Sequence, residues 1–314
     1  MMQKQTVDYA VAKRRTAIGN FIFDAVIFIT LAFVVVVTVY PFWNTIAVSF
    51  NDGLDSLKGG ITIWPRKFTL KNYTNLFETD YIFRAGFISV SRTILQTILN
   101  VFCTCMLAYA LSRKEFVLKK PLTSIIVISM YINAGLIPGY MLIKKLGLLN
   151  NYLVYIIPNL IDVFNFILVR TYINGLPDSF VESARIDGAN EFKIFMEIVM
   201  PLIIPSIAMT CLFVAVGAWN SWFDTYLYCS PKKNLHSLQY VLMSFLQASQ
   251  SQSNSASSAN SMALAAASGA ASNQVTPVAM RASITMVATI PILVVYPFVQ
   301  KYFVTGMTIG GVKE

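Results

Sequence analysis

The amino-acid sequence predicts an all-α integral membrane protein with six transmembrane helices. Three observations carry this. The chain has 314 residues, of which 56% are hydrophobic and only 12% charged. Its apolar residues gather into six long runs, at about 20–48, 83–111, 120–143, 150–173, 202–228 and 278–303. Each approaches or exceeds the roughly 20 residues that a helix needs to cross a ~30 Å hydrocarbon core. None shows the residue-by-residue alternation of a barrel strand. Helices, which satisfy their own backbone groups, are then what lipid permits.

Residues 1–19 read as a short polar N-terminal tail. Lys13, Arg14 and Arg15 precede the first run, as in a signal peptide. The run exceeds a signal h-region and no small-residue cleavage site follows, so a retained helix is expected. The loop from about 49 to 82 is punctuated by Gly59, Gly60 and Pro65 and is expected outside. The second run ends in Ser112-Arg113-Lys114-Glu115, an inner loop. A short outer turn at Gly147–Asn151 separates the third and fourth runs, and residues 174–201 form a large inner loop. Residues 248–274 are Ala, Ser, Asn and Gln without charge, and predict a flexible outer loop with room for a short helix over Met262–Ala271. It serves as a solvated linker or as a surface that touches a docking protein.

The net charge is +9. In a soluble protein that would suggest nucleic acid, but here the cations flank apolar runs. Placing the N-terminus inside puts thirteen Lys and Arg in cytoplasmic segments against eight outside. The short Arg113–Lys120 loop is the strongest single contributor, and both termini then lie in the cytoplasm. Cys103, Cys105, Cys211 and Cys229 have no metal or disulfide spacing and read as small apolar residues; no metal site is expected.

The most informative stretch is Glu182-Ser183-Ala184-Arg185-Ile186-Asp187-Gly188-Ala189. It lies between two apolar runs, and five carboxylates fall within Asp178–Glu197. Such a segment belongs in water or against a protein partner. Glu182 to Ile186 are good helix formers, Gly188 can turn the chain, and Asn190 can cap a second helix through Phe195 toward Met200. Pro201 then opens the fifth run. Glu182 and Asp187 offer charge-assisted contacts to a partner's Arg or Lys, and Ala184 and Ala189 leave room for close packing. A solvated amphipathic loop helix is the plain alternative on spacing alone.

With Phe195, Pro201 and Pro205 following, this stretch resembles the EAA loop of ABC-importer permeases: E-A-A-x-x-D-G-A, then a Phe, then P-x-x-x-P. Ser183 stands in place of the first Ala. Ala108–Arg113 is similar to the A-Y-A-x-S-R ending of the second conserved helix in sugar-importer permeases. Gly135–Pro138 and Leu146–Asn150 match their third-helix region, and Trp219–Asp224 looks like their W-N-x-[WF] patch. Gln300–Gly306 resembles the Q-[RK]-Y-F-x-x-G ending of the branch containing the maltose permease's second subunit. Within that branch the chain is similar to six-helix second permeases of complex-oligosaccharide importers, those for aldouronates, alginate or pectin fragments.

The resemblance implies the type I ABC-importer permease fold over residues 20–304, with a cytoplasmic coupling helix between helices 4 and 5 and a cytoplasmic tail at 305–314. It implies a second, homologous permease as partner, two ATPase subunits, and an extracellular or periplasmic solute-binding protein that delivers an oligosaccharide. Glu182 inherits the contact to an Arg of the ATPase, and Gly188 inherits the turn. Ser183, Ala184, Asp187, Ala189, Phe195 and Pro201 complete the coupling set, and the tail from Gly306 reaches toward the ATPase dimer. The chain has no G-x-x-x-x-G-K-[ST] loop. ATP and Mg belong to the partner ATPase, and this chain is not expected to be an enzyme.

Polar groups within the apolar runs are candidates for the path. Arg92 lies about nine residues, or ~13 Å, inside the second run. Asp162 lies midway along the fourth and Arg281 near the outer end of the sixth, with Asn133, Asn159 and Asn165 as further candidates. Tyr131, Trp219 and Trp222 offer stacking faces, and Asn220 lies beside them. Each has a plain alternative: Arg92 pairs with Asp162 or with the second permease, Arg281 snorkels to headgroups, and the tryptophans are anchors or core. Were Arg92 and Arg281 to face the path, they would favour an acidic, uronate-containing cargo. An ion-gradient carrier is the alternative function, supported only by Asp162. A membrane enzyme has still less, because the single His, His236, falls in an outer loop beside Lys232 and Lys233.

Overall fold

The computed structural model describes residues 2–78, 80–132, 134–253 and 276–311. They are predominantly helical. The bridge between Asn51 and Phe68 is the one β pairing among them. They divide into two compact units, one from residues 2–72 and 276–283, the other from 73–78, 80–132, 134–253 and 284–311.

The first unit begins with α1, Met2–Ser49, so the helix takes in the residues expected as a polar tail. From Phe23 to Ser49 it is long and apolar enough to cross a membrane, and its large side chains stay exposed, Phe28 at 74%. Thr30 and Thr38 return their hydroxyls to the carbonyls of Val26 and Val34 at 2.8 and 2.7 Å, which hides their polarity within the helix. Asp52 caps α2, Gly53–Leu57, by accepting from the N–H groups of Leu54 and Asp55. Asn51 is the hub of the following loop. It accepts from Lys67 N at 2.8 Å and donates to Asp55 and Ser56 at 3.1 and 3.0 Å. Asn72, at the start of α3 (Lys71–Phe77), donates to the carbonyls of Ser49 and Asn51.

The second unit is organised on α4, Asp80–Ser112. Helices α5 (Lys119–Tyr131), α7 (Val163–Asn174) and α11 (Ile204–Asn220) pack against it. Between α5 and α7 lie α6, Leu136–Lys145, and two short 3₁₀ turns within Tyr152–Asn159. The main core joins Val101, Cys105, Ala108 and Leu111 of α4 to Phe166, Val169 and Ile173 of α7, and to Ile194, Phe195, Val199 and Ile203. Cys105 is thus packed as a small apolar residue. Helix α12 covers Leu238–Ser253 and takes in the first residues of the low-complexity run. Residues 254–275 lie outside the described residues, and the expected flexible loop lies largely with them. The last helix, α13, runs Pro277–Gly311 through Pro291 and Pro297, so the expected tail from 305 is helical as far as Gly311.

Three described helices are long and apolar enough to span: Phe23–Ser49, Asp80–Ser112 and Pro277–Val294. Two bent pairs pass the same criterion jointly. Tyr152–Asn159 with Val163–Asn174 bends by 45°, and Glu191–Leu202 with Ile204–Asn220 by 83°. The run at 120–143, expected as one crossing, is instead two helices, α5 and α6, of 13 and 10 residues. The break has a local cause. Gly135 takes φ +86° at the start of α6, a conformation no helix interior contains.

Candidate functional site

The polar island folds into α8, Ser179–Ile186, then a turn, then α9, Glu191–Lys193. The turn is a complete Schellman motif. Gly188 N–H donates to Arg185 O and Ala189 N–H to Ala184 O, both at 3.0 Å, with Gly188 at φ +79°. A Cβ on Gly188 would meet nothing within 4 Å, so backbone conformation alone demands glycine. Asn190 caps α9 by accepting from Lys193 N at 2.8 Å, as its sequence position predicts. The chain then passes through one π-helical stretch, Ile194–Val199, and α10, Met200–Leu202, before the 83° bend at Ile203. Pro201 sits in α10; it is Pro205, in the first turn of α11, that opens the long helix. Proline fits there because first-turn N–H groups have no helical acceptor.

This element is clamped to the end of α4. Arg185 pairs with Glu115 and, at 2.7 Å, with Glu191. Glu191 also accepts from the Tyr109 hydroxyl at 2.6 Å, and the Arg113 guanidinium lies 4.5 Å over the Tyr109 ring. Lys114 pairs with Asp178. The hydrogen bond from Arg185 holds the Glu115 carboxyl down at about 2, and Lys114 lowers Asp178 in the same way. None of these clamp partners is evident from the sequence. Glu115 lies 70 residues before Arg185, and only packing brings them together.

Of the expected coupling residues, Glu182, Ser183, Asp187, Gly188 and Pro201 are exposed. Ala184 and Phe195 are buried at 7% and 1%, and Ala189 packs against the same core. The small size of Ala184 and Ala189 therefore serves close packing within this chain.

A second feature is a cavity of about 710 Å³ walled by α4, the turn before α7, α7 and α11. It gathers Arg92, Asn159, Asp162 and Asn165 from the expected path residues, with Gln96, Asn100, Ser221 and Asp224. Arg92 is 1% exposed. It donates Nε and Nη2 to the Ala218 carbonyl at 3.1 and 2.8 Å, and its Nη2 lies 3.1 Å from Asp224 Oδ2. The guanidinium also lies 4.6 Å over the Tyr155 ring. Its carboxylate partner is thus Asp224, and Asp162 instead caps α7 by accepting from Asn165 N at 2.8 Å. Asp224 stands at the end of the Trp219–Asp224 motif, the one sequence signal that could have marked it.

The expected stacking residues are elsewhere. Trp219 is buried and donates Nε1 to the Ala288 carbonyl at 2.9 Å, which makes it core. Trp222 packs edge-on against Phe223, Asn220 accepts from Gln239 at 3.3 Å, and Tyr131 is exposed at the end of α5. The aromatic rings that do line the cavity are Phe164 and Phe213, 6.1 Å apart. Arg281 is an exposed residue of the first unit. Asn133 lies outside the described residues.

Residues 100–308 match the family model described as "Binding-protein-dependent transport system inner membrane component". The chain is 34% identical over 299 residues to the polygalacturonan/rhamnogalacturonan transport system permease protein YtcP of Bacillus subtilis (strain 168), covering 94% of this chain and 99% of that one. It is 28% identical over 290 residues to the arabinooligosaccharides transport system permease protein AraQ of Halalkalibacterium halodurans, covering 91% and 95%. A solved bacterial ABC transporter "involved in the import of the acidic polysaccharide alginate" contains a similar chain, with TM-score 0.76, 26% identity, and coverage of 91% and 98%. The chain therefore belongs to the family of binding-protein-dependent transport system inner membrane components, the non-enzymatic permease subunits of ABC transporters.

Proposed function

We propose that this chain is one of two permeases of an ATP-driven oligosaccharide importer, and that α8 is the element through which ATP hydrolysis moves it. The observation that carries the reading is the clamp. Helix α8 presents Glu182, Ser183 and Asp187 outward, while Arg185 holds it to Glu115, three residues past the end of α4, and through Glu191 to Tyr109 within α4. Helix α4 then runs to Arg92 in the cavity wall, 20 residues or about 30 Å away. A displacement of α8 by a partner is passed to the cavity through one packed helix.

Around this core the rest of the reading follows the family. The α5–α6 pair completes a sixth crossing, both termini face the cytoplasm, and a second homologous permease supplies the other half of the path. Two ATPase subunits bind ATP and Mg, and Glu182 and Asp187 meet their cationic residues. A solute-binding protein delivers the cargo from outside. A uronate-bearing oligosaccharide is supported by the named cargo of the pectin-related relative and of the alginate importer. Arg92 does not support it, because its charge is taken by Asp224.

The test is purification of the tagged chain from its native membrane, followed by ATPase assays with candidate oligosaccharides and binding protein. Recovery of a second permease and an ATPase, with hydrolysis stimulated by sugar, is expected. A chain that purifies alone and transports in vesicles without ATP would reject the reading.

A further inference from the structure

A groove of about 460 Å³ lies beside the clamp, at the end of α4. Its apolar wall is made by Met106 and Ala110 of α4, Phe116 of the following loop, and Phe192 and Phe195. Phe195 is core, but Met106, Ala110, Phe116 and Phe192 are exposed, Phe192 at 61%. The loop next to the groove continues the pattern: Val117 is 89% exposed, and Leu118 follows it. Contiguous apolar surface of this kind marks a contact with membrane or protein.

The groove straddles a boundary. Met106 and Ala110 belong to the apolar span Asp80–Ser112, and Arg113 stands one residue past its end. From Met106 to Arg113 is about 10 Å along a helix. One end of the wall is therefore apolar at membrane depth, and the other is charged at headgroup level. Arg113, Arg185, Glu115 and Glu191 supply that charge. Arg185 is held by both carboxylates. Arg113 enters none of the ion pairs or hydrogen bonds among the described residues, and its guanidinium stacks 4.5 Å over the Tyr109 ring. Stacking uses the face of the guanidinium and leaves its edge as a donor fork that suits a phosphate.

These four charges balance, and the surplus comes from the next turn. The Lys119 N–H closes onto the Phe116 carbonyl at 3.2 Å, so Lys119 and Lys120 follow directly on the groove wall. Neither enters an ion pair among the described residues. Cations at the cytoplasmic end of a membrane helix attract anionic lipid. We propose that the groove binds one anionic phospholipid of the inner leaflet. Its acyl chain lies along Met106, Ala110 and Phe192, its phosphate meets Arg113, and Lys119 and Lys120 favour a negative headgroup. The order of the wall, apolar within the span and cationic just beyond it, is the order of chain and phosphate in such a lipid. The site goes beyond the transport reading and takes from it only that this end of α4 is cytoplasmic.

The experiment uses the protein as it purifies from its membrane, with the subunits that accompany it, in vesicles of equal parts phosphatidylglycerol and phosphatidylcholine. A photo-crosslinking benzoylphenylalanine replaces Phe192, and the headgroups of the lipid adducts are counted by mass spectrometry. Phosphatidylglycerol is expected in excess. Arg113→Gln is expected to lower the ratio of the two adducts roughly fivefold, the effect of one cation near an anionic surface. Lys119→Gln combined with Lys120→Gln is expected to lower it as well, whereas Arg113→Lys, which keeps the charge, holds it. A wild-type ratio near one, or a ratio unchanged by Arg113→Gln and by the double variant, overturns the inference. Capture of a protein subunit in place of lipid overturns it too, and assigns the groove to a protein contact. None of these readings needs ATP or sugar, so they stand or fall apart from the permease reading, which is tested by sugar-stimulated hydrolysis.

Discussion

Ala189 donates its backbone N–H to the carbonyl of Ala184 at 3.0 Å, across the left-handed residue Gly188. This bond closes α8 and turns its last residues back onto the core. It gives the Ala-x-x-x-Gly-Ala spacing a physical meaning: a C-terminal cap whose flanking residues must be small because both pack inward. Gly188→Ala costs about 1–2 kcal/mol, the penalty for a side chain in the left-handed region. Open space around the position adds nothing to it. Hydrogen exchange over 179–190 measures the loss, and unchanged protection in the variant would contradict the motif's role.

Arg185→Ala is expected to free α8 from the α4 end without unfolding the chain. The variant loses both ion pairs, while the core under Phe195 is untouched. Exchange should quicken in α8 and in residues 113–118 together. Quickening in α8 alone would show that the clamp does not join the two segments.

Arg92 and Asp224 form the most buried ion pair among the described residues, with side chains 1% and 17% exposed. Asp224→Ala leaves the guanidinium without its carboxylate and is expected to cost about 3–5 kcal/mol. Arg92→Met combined with Asp224→Leu removes both charges and is expected to cost less than Asp224→Ala alone. Thermal unfolding in detergent ranks the two, and the reverse order would refute the pairing.

His236 links distant segments. Its Nε2 donates to the Ser230 carbonyl at 3.0 Å, so Nδ1 accepts from the Tyr81 hydroxyl at 2.7 Å. Burial lowers its pKa from 6.5, with Lys233 adding to the effect. The unfolded chain therefore binds the proton first. The contribution to stability is whole above pH 6.5 and is lost as pH falls through the lowered value. Melting temperature should fall on acidification below 6.5, and His236→Gln should flatten that fall. An identical pH profile in the variant would dismiss the assignment.

Much of the architecture was legible because long apolar runs leave few choices in lipid. α1, α4 and α13 follow directly, and so does the turn at Gly188, which only a flexible residue permits. The breaks were harder to read. An apolar run looks the same whether Gly135 bends it or not, and the bend at Ile203 falls between two prolines that each could have opened a helix. The long-range pairs were out of reach. Asp224 lies 132 residues from Arg92, and nothing in local spacing prefers it to Asp162. The motif at Trp219 is equally compatible with a stacking face for sugar, an interfacial anchor or core, because sequence alone does not tell a buried indole from an exposed one.

The most direct test of the central claim is sugar-stimulated ATP hydrolysis by the purified complex, wild type against Gly188→Pro. Proline removes the N–H bonded to Arg185 and cannot reach φ +79°, so α8 loses its cap while the membrane helices keep theirs. The account predicts that the variant complex assembles in the membrane, yet sugar and binding protein no longer stimulate hydrolysis and uptake is lost. Full stimulation and full uptake in Gly188→Pro would contradict it.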